Sequence, residues 1–134
     1  MTEVLRVFKV FKMIVMDNKQ FGEYLEKRTK NFALSVIKLS TSLPNSIEFS
    51  VIKKQIVKSG TSIGANYREA NTPRSKADFK NRISICRNET NETIYWLELI
   101  IESRPARNLQ AIEIYAEAKQ LLAIFTSIAY KINA

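Results

Sequence analysis

Between Phe49 and Ala70 the positions Phe49, Ile52, Ile56, Ser59, Ile63, Asn66 and Ala70 follow one another at alternating steps of three and four. Only a helix brings such positions onto one side, and strict alternation marks the seam of coiled-coil-like packing. A strand would scatter them over both faces. This part of the chain is therefore committed to a helix that buries one narrow stripe against other helices.

Three more stretches carry helical spacing. The first runs from about Phe21 to Leu43, with Phe21, Leu25, Phe32, Val36, Leu39 and Leu43 on one side, and Pro44 stops it. Asn45 is the expected N-cap of the second helix, with Glu48 as its capping-box partner. Pro73 breaks the second helix, and Ser75 with Asp78 reads as the next capping box. The third helix then shows Phe79, Ile83, Cys86, Thr90, Thr93, Leu97 and Ile100, with a second stripe of Ile85, Glu89, Glu92, Trp96 and Leu99 beside it. After "SRPARN", Asn108 is placed to cap a last helix using Ala111, Ile114, Ala118, Leu121, Phe125, Ile128 and Ile132. Only 3 Gly and 3 Pro in 134 residues argue against a sheet fold built on many tight turns. Four amphipathic helices with short connections predict an all-α, antiparallel up-and-down four-helix bundle over residues 21–134.

The stretch 1–20, "MTEVLRVFKVFKMIVMDNKQ", is set apart as an N-terminal arm or a misassigned start. Arg6, Lys9 and Lys12 interrupt its apolar run, no small-residue cleavage site follows, and it is too short to span a membrane. Two readings stand: a mobile amphipathic arm, or initiation at Met13 or Met16.

On a helical wheel at about 100° per residue, Gln55, Ser59, Ser62, Asn66 and Glu69 form a polar stripe beside the second helix's seam. Gly60 and Gly64 thin the helix there, at about 1 kcal/mol of propensity each, which a closely approaching neighbour would offset. The tight connection at Pro73 makes helices two and three a hairpin, with Gln55 opposite Glu92 and Ser59 near Arg87 to Glu89. Glu89 lies between apolar neighbours, where an ionised carboxylate needs hydrogen bonds. Glu89 and Glu92 are thus expected to be bonded by Ser59, Gln55 or an arginine. The stripe reads first as a register-fixing polar network and second as an interface between copies; an acid–base pair comes last. The apolar arc of the third helix, Trp96 included, is wider than one core needs and favours a second packing surface.

Chemistry finds few residues to work with. His is absent, Cys86 is alone, and Asp occurs only at positions 17 and 78, so neither a metal nor a cofactor is expected and an enzyme is nearly excluded. Lone Cys86 also points to a reducing compartment. The charge distribution says more. The chain carries +8, and from Pro44 to Thr90 nine basic residues face four acids, whereas the chain from Asn91 onward is slightly acidic. Lys54, Lys58 and Arg68 share an outward face of the second helix, Lys76, Lys80 and Arg87 a polar face of the third, and Arg74 lies between. Together they form a candidate phosphate-contacting patch that would read backbone or shape, since no RNA-binding motif is present.

"QIVKSGTSIGANYREANTPRSKADF" followed by "ETNETIYWLEL" is similar to the bacterial four-helix-bundle proteins first described from intervening sequences of large-subunit ribosomal RNA genes, sometimes labelled S23 ribosomal proteins. More distantly it resembles the accessory variability protein of diversity-generating retroelements. The likeness covers roughly Phe21 to Ala134. It places Ser62, Gly64, Asn66, Tyr67, Arg68 and Glu69 in one motif and Glu89, Glu92, Tyr95, Trp96 and Leu97 in a second. The first fifteen residues have no counterpart, which favours a start at Met16. The resemblance implies a cytoplasmic bundle that assembles into a ring, commonly a homopentamer, with a basic surface for nucleic acid and no enzymatic activity. Two functions are therefore expected: a nucleic-acid-binding oligomer, with RNA ahead of DNA, or a scaffold for a nucleic-acid-processing partner. No membrane partner is expected.

Overall fold

The computed structural model describes residues 18–103 and 107–133. Four helices follow in order: α1 (Asn18–Ser42), α2 (Ile47–Ala70), α3 (Lys76–Ser103) and α4 (Leu109–Asn133). Each packs on the next, and α1 closes the bundle on α4 through the least extensive of the four interfaces. No described helix is long and apolar enough to cross a membrane. The expected arm over 1–20 lies outside the described residues as far as residue 17, and Asn18, Lys19 and Gln20 already belong to α1.

The predicted stripes form the core. Leu25, Val36, Leu39, Ile56, Ile63, Ile83, Leu97, Ile100, Leu121 and Phe125 have no exposed surface. Their helices start at residues that satisfy otherwise orphaned N–H groups. Ser75 Oγ accepts from the Asp78 N–H at 3.0 Å, and Asn108 Oδ1 accepts from the Ala111 N–H at 3.0 Å. The cap of α2 differs by one residue from expectation. Ser46, in extended backbone, accepts from the Phe49 N–H at 3.1 Å, whereas Asn45 accepts from Lys53 Nζ at 3.0 Å. Both residue types cap well, and starting the helix at Ile47 moves the cap without moving the apolar seam.

Helices α1 and α2 approach closely where α2 has glycine. A Cβ on Gly60 would lie 3.0 Å from both methyl carbons of Val36. One on Gly64 would lie 3.1 Å from Thr29 Oγ1 and 3.4 Å from the Thr29 carbonyl carbon. Thr29 itself is fully buried and donates to its own helix, at 2.8 Å to the Leu25 carbonyl. The propensity given up at the two glycines is thus exchanged for close packing between the helices.

Substituting Gly60→Val forces its methyls into Val36 and is expected to lower unfolding free energy by about 1–3 kcal/mol, measured by urea denaturation. An unchanged midpoint would show that α1 can move away without cost.

Candidate functional site

The seam between α2 and α3 contains the predicted polar stripe, in a register within about two positions of that expected at Ile63–Cys86 and Asn66–Arg82, while Ser59 reaches one turn further along α3 than expected. Ser59 is fully buried and meets Thr93, whose Oγ1 donates to Ser59 Oγ at 2.8 Å. The same Thr93 hydroxyl lies 2.8 Å from the Glu89 carbonyl, so its proton serves one acceptor at a time. Two turns further along α2, Asn66 Nδ2 donates to the Ser62 carbonyl at 2.9 Å and Asn66 Oδ1 accepts from Arg82 Nη1 at 3.0 Å. Arg82 Nε lies 3.9 Å from Asp78 Oδ1, too far for a hydrogen bond. Between these two points, buried Cys86 Sγ donates to the Ile63 carbonyl at 3.5 Å, and burial pushes its thiol up to about 12.

The expected bonding of the two carboxylates does not occur among the described residues. Neither Glu89 nor Glu92 is bonded by Ser59, Gln55 or an arginine, because Thr93 takes the Ser59 hydroxyl and Asn66 with Asp78 engages Arg82. Glu89 is half-buried and Glu92 exposed. Desolvation raises the Glu89 carboxyl above its ordinary range; repulsion from Glu92 adds to this and Lys58 opposes it. Of the rest of the stripe, Gln55 and Ser62 are half-buried and Glu69 is exposed. Trp96 is half-buried against the core and stacks edge-on to Tyr95, with centroids 5.1 Å apart; its Nε1 is buried without an acceptor among the described residues. Tyr67 is core, 5.9 Å from the Phe125 ring, with its hydroxyl pushed up to about 12 by burial.

The seven basic residues do not make one patch. The bonds from α3 to α2 run through Arg82, Cys86 and Thr93. At about 100° per residue, Lys76, Lys80 and Arg87 fall on the other flank of α3, toward α4. On α2, Lys54 and Lys58 face outward, and Arg68 leans to α1, 3.5 Å from Glu26. Arg74, exposed between helices, donates its backbone N–H to Asp78 Oδ2.

Two features escape a helix-by-helix reading. One is a buried cluster across α1 and α4: Arg28 Nε and Nη2 donate to the two oxygens of Glu117 at 2.7 and 2.6 Å, and Nη2 also donates to Gln120 Oε1 at 2.7 Å. Burial opposes the Arg28 charge, but the bonds and charge of Glu117, with Tyr24, outweigh it and raise its pKa. A depression of about 510 Å³ beside it is lined by Tyr24, Asn31, Ser35 and Glu113. The second is a lysine line on α1. Lys27, Lys30 and Lys38 are exposed with Leu34 among them, and from Lys27 to Arg68 eight basic residues face the single acid Glu48. That acid-poor run is legible in the sequence, but a count beginning at Pro44 passes over half of it.

Residues 25–127 match the model of the family described as 23S rRNA-intervening sequence protein. A solved structure described as a protein with unknown function from the S23 ribosomal protein family of Bacteroides thetaiotaomicron superposes with a TM-score of 0.73 at 37% identity, covering 81% of this chain and 97% of that one. Among curated proteins none matches.

Replacing Thr93→Val alone leaves Ser59 buried without its strongest partner and is expected to cost about 1–2 kcal/mol. The double variant Ser59→Ala with Thr93→Val removes both hydroxyls and should cost less than the sum of the singles. Additive effects in urea denaturation would mean that the two hydroxyls are not coupled.

Proposed function

The chain belongs to the 23S rRNA-intervening sequence protein family, and we propose that it is a non-enzymatic nucleic-acid-binding protein that works as a cytoplasmic homo-oligomer. The observation that supports binding is the stretch from Lys27 to Arg68 within the α1–α2 hairpin, with eight basic residues against one acid, of which Arg28 and Arg68 are paired to Glu117 and Glu26. Lys27, Lys30, Lys38, Lys54 and Lys58 are exposed and carry no ion pair among the described residues. Lysines at helical spacing on a rigid bundle touch phosphates as point charges and do not read bases, so binding is carried by backbone and shape. The family description names an intervening sequence of 23S rRNA, and RNA is accordingly placed ahead of DNA as the polymer to test. Lys76, Lys80 and Arg87, on the far flank of α3, are not part of this face.

Self-association is supported by the α2–α3 side. Ile85, Trp96 and Leu99 remain half-buried there beside exposed Val51, an apolar surface that the subunit's own helices leave uncovered. A ring, with five copies as the resemblance suggests, would repeat the lysine face and multiply weak phosphate interactions.

A second reading is a scaffold for a nucleic-acid-processing partner. Leu34 and Ile37, 56% and 42% exposed within the lysine line, favour it, because aliphatic side chains contribute little against phosphate.

Fluorescence anisotropy with a structured RNA and a DNA duplex at several salt concentrations tests the proposal. Binding is expected to be tighter on RNA and to weaken linearly in log salt. Changing Lys30, Lys38 and Lys54 to Gln should lower the slope by about 1 for each phosphate no longer neutralised, and changing Lys76 and Lys80 to Gln should leave it unaltered. No binding by the parent protein at low salt would sink the nucleic-acid reading and leave the scaffold.

A further inference from the structure

The outward face of α1 is ordered as well as basic. At about 100° per residue, Lys27, Lys30, Leu34, Ile37, Lys38 and Thr41 fall within an arc of about 100°, opposite the core positions, and all six are exposed. Neighbouring contacts give this face two sides. Arg28 reaches Glu117, and Lys27 lines the depression between α1 and α4, so Lys27 and, three turns on, Lys38 form a row on the α4 side. Glu26, one turn before Lys30, accepts from Asn71 Nδ2 at 2.7 Å and lies 3.5 Å from Arg68, so Lys30 adjoins α2. Gly60 meets Val36 and Gly64 meets Thr29, a register that sets Lys58 level with Lys38 and Lys54 about a turn beyond it. Lys30, Lys58 and Lys54 thus make a second row, with Leu34, Ile37 and Thr41 between the two. Exposed Glu23, one turn before Lys27, and Glu113, across the depression, bound the face. It carries no aromatic ring: the exposed rings among the described residues are Tyr95 on α3 and Tyr130 on α4, and Tyr24 is half-buried with its hydroxyl accepting from Arg28 Nη1 at 3.2 Å.

We propose that the polymer held by this face is double-stranded RNA, with α1 lying over the minor groove and each lysine row on one of the two phosphate backbones. The inference rests on the nucleic-acid reading above and names the form of the polymer. Proteins that hold single strands without reading sequence stack the bases on aromatic side chains, and this face offers none. A duplex keeps its bases stacked within itself and asks only for cations along its backbones. Two charged rows with an uncharged centre match a groove, whose two backbones flank a floor of sugars and base edges. Leu34 and Ile37, which have nothing to offer a phosphate, then pack on ribose carbon. Thr41, whose hydroxyl donates to the Lys38 carbonyl at 2.8 Å, keeps its acceptor side for a ribose 2′-hydroxyl. The minor groove of an RNA duplex is wide and shallow and displays those hydroxyls, whereas its major groove is deep and narrow. The minor groove of B-form DNA, about 6 Å wide, is too narrow for a helix about 10 Å across, and its sugars lack the 2′-hydroxyl.

Fluorescence anisotropy of the full chain with one mixed-sequence RNA strand, the blunt duplex it forms with its complement, and the DNA duplex of the same sequence tests this. The RNA duplex is expected to bind about tenfold or more tighter than the single strand or the DNA duplex. Leu34→Glu sets a carboxylate between the rows and should weaken duplex binding about tenfold. Lys27→Gln with Lys38→Gln, and Lys54→Gln with Lys58→Gln, should each lower the log-salt slope by about 2, one pair for each backbone. Circular dichroism reports whether each variant remains helical; should Leu34→Glu unfold, the two lysine pairs carry the test. A parent protein that binds none of the three at low salt would overturn the nucleic-acid reading itself. A single strand or DNA duplex bound as tightly as the RNA duplex, or a lysine pair or folded Leu34→Glu without effect, would overturn only the placement on duplex RNA.

Discussion

The arrangement of this bundle depends on the distance between α1 and α2. Gly60 lies against Val36 and Gly64 against Thr29, each closer than a side chain on α2 would permit. That approach turns Ile56 and Ile63 inward and fixes which edge of α2 is left to meet α3. The edge so presented carries Ser59, Ser62 and Asn66; Ser59 is answered by Thr93 and Asn66 by Arg82. A wider α1–α2 spacing would rotate α2, remove Ser59 from Thr93 and leave a buried hydroxyl unpaired. The glycines and the polar stripe are thus one device: the first sets the angle at which the second becomes useful.

Most of this architecture is legible in the sequence because it depends on local periodicity. The apolar stripes name the core, and Ser75, Asn108 and Pro44 mark helix ends through chemistry confined to a few residues. Asn45 and Ser46 show the limit of that approach, since two good capping residues side by side leave the choice to the turn. The register of α2 against α3 is close to expectation at Asn66–Arg82 and Ile63–Cys86, but a helical wheel does not say which hydroxyl or carboxylate within a turn a small buried side chain such as Ser59 will meet. Ser59 meets Thr93 in place of the carboxylates. Arg28 and Glu117 are 89 positions apart, and nothing in either helix alone says that they meet.

The basic residues group differently from expectation for a related reason. A wheel shows which side chains share a face of one helix, but not the angle between faces of two helices. Lys54 and Lys80 each point away from their own helix's core, yet α3 places its lysines toward α4 while its bonds to α2 use Arg82, Cys86 and Thr93. The α1 residues Lys27, Lys30 and Lys38 and the α2 residues Lys54 and Lys58 are exposed on two helices joined by a short connection.

This division of charge lets one small bundle serve both roles proposed for it without conflict. Lysines that hold copies together are desolvated and closed to phosphate, and lysines that bind phosphate must stay in water until the polymer arrives. If all seven predicted basic residues formed one patch, assembly and binding would compete for them, and salt would weaken both together. The structure splits them: Lys76, Lys80 and Arg87 lie on the flank of α3 toward α4, while Lys54 and Lys58 are exposed on α2, so the two groups need not act on one partner. In the oligomer proposed above, each added copy would contribute another set of α1 and α2 lysines, so a polymer long enough to reach two copies would be held more tightly than one reaching a single copy, with no new kind of interaction.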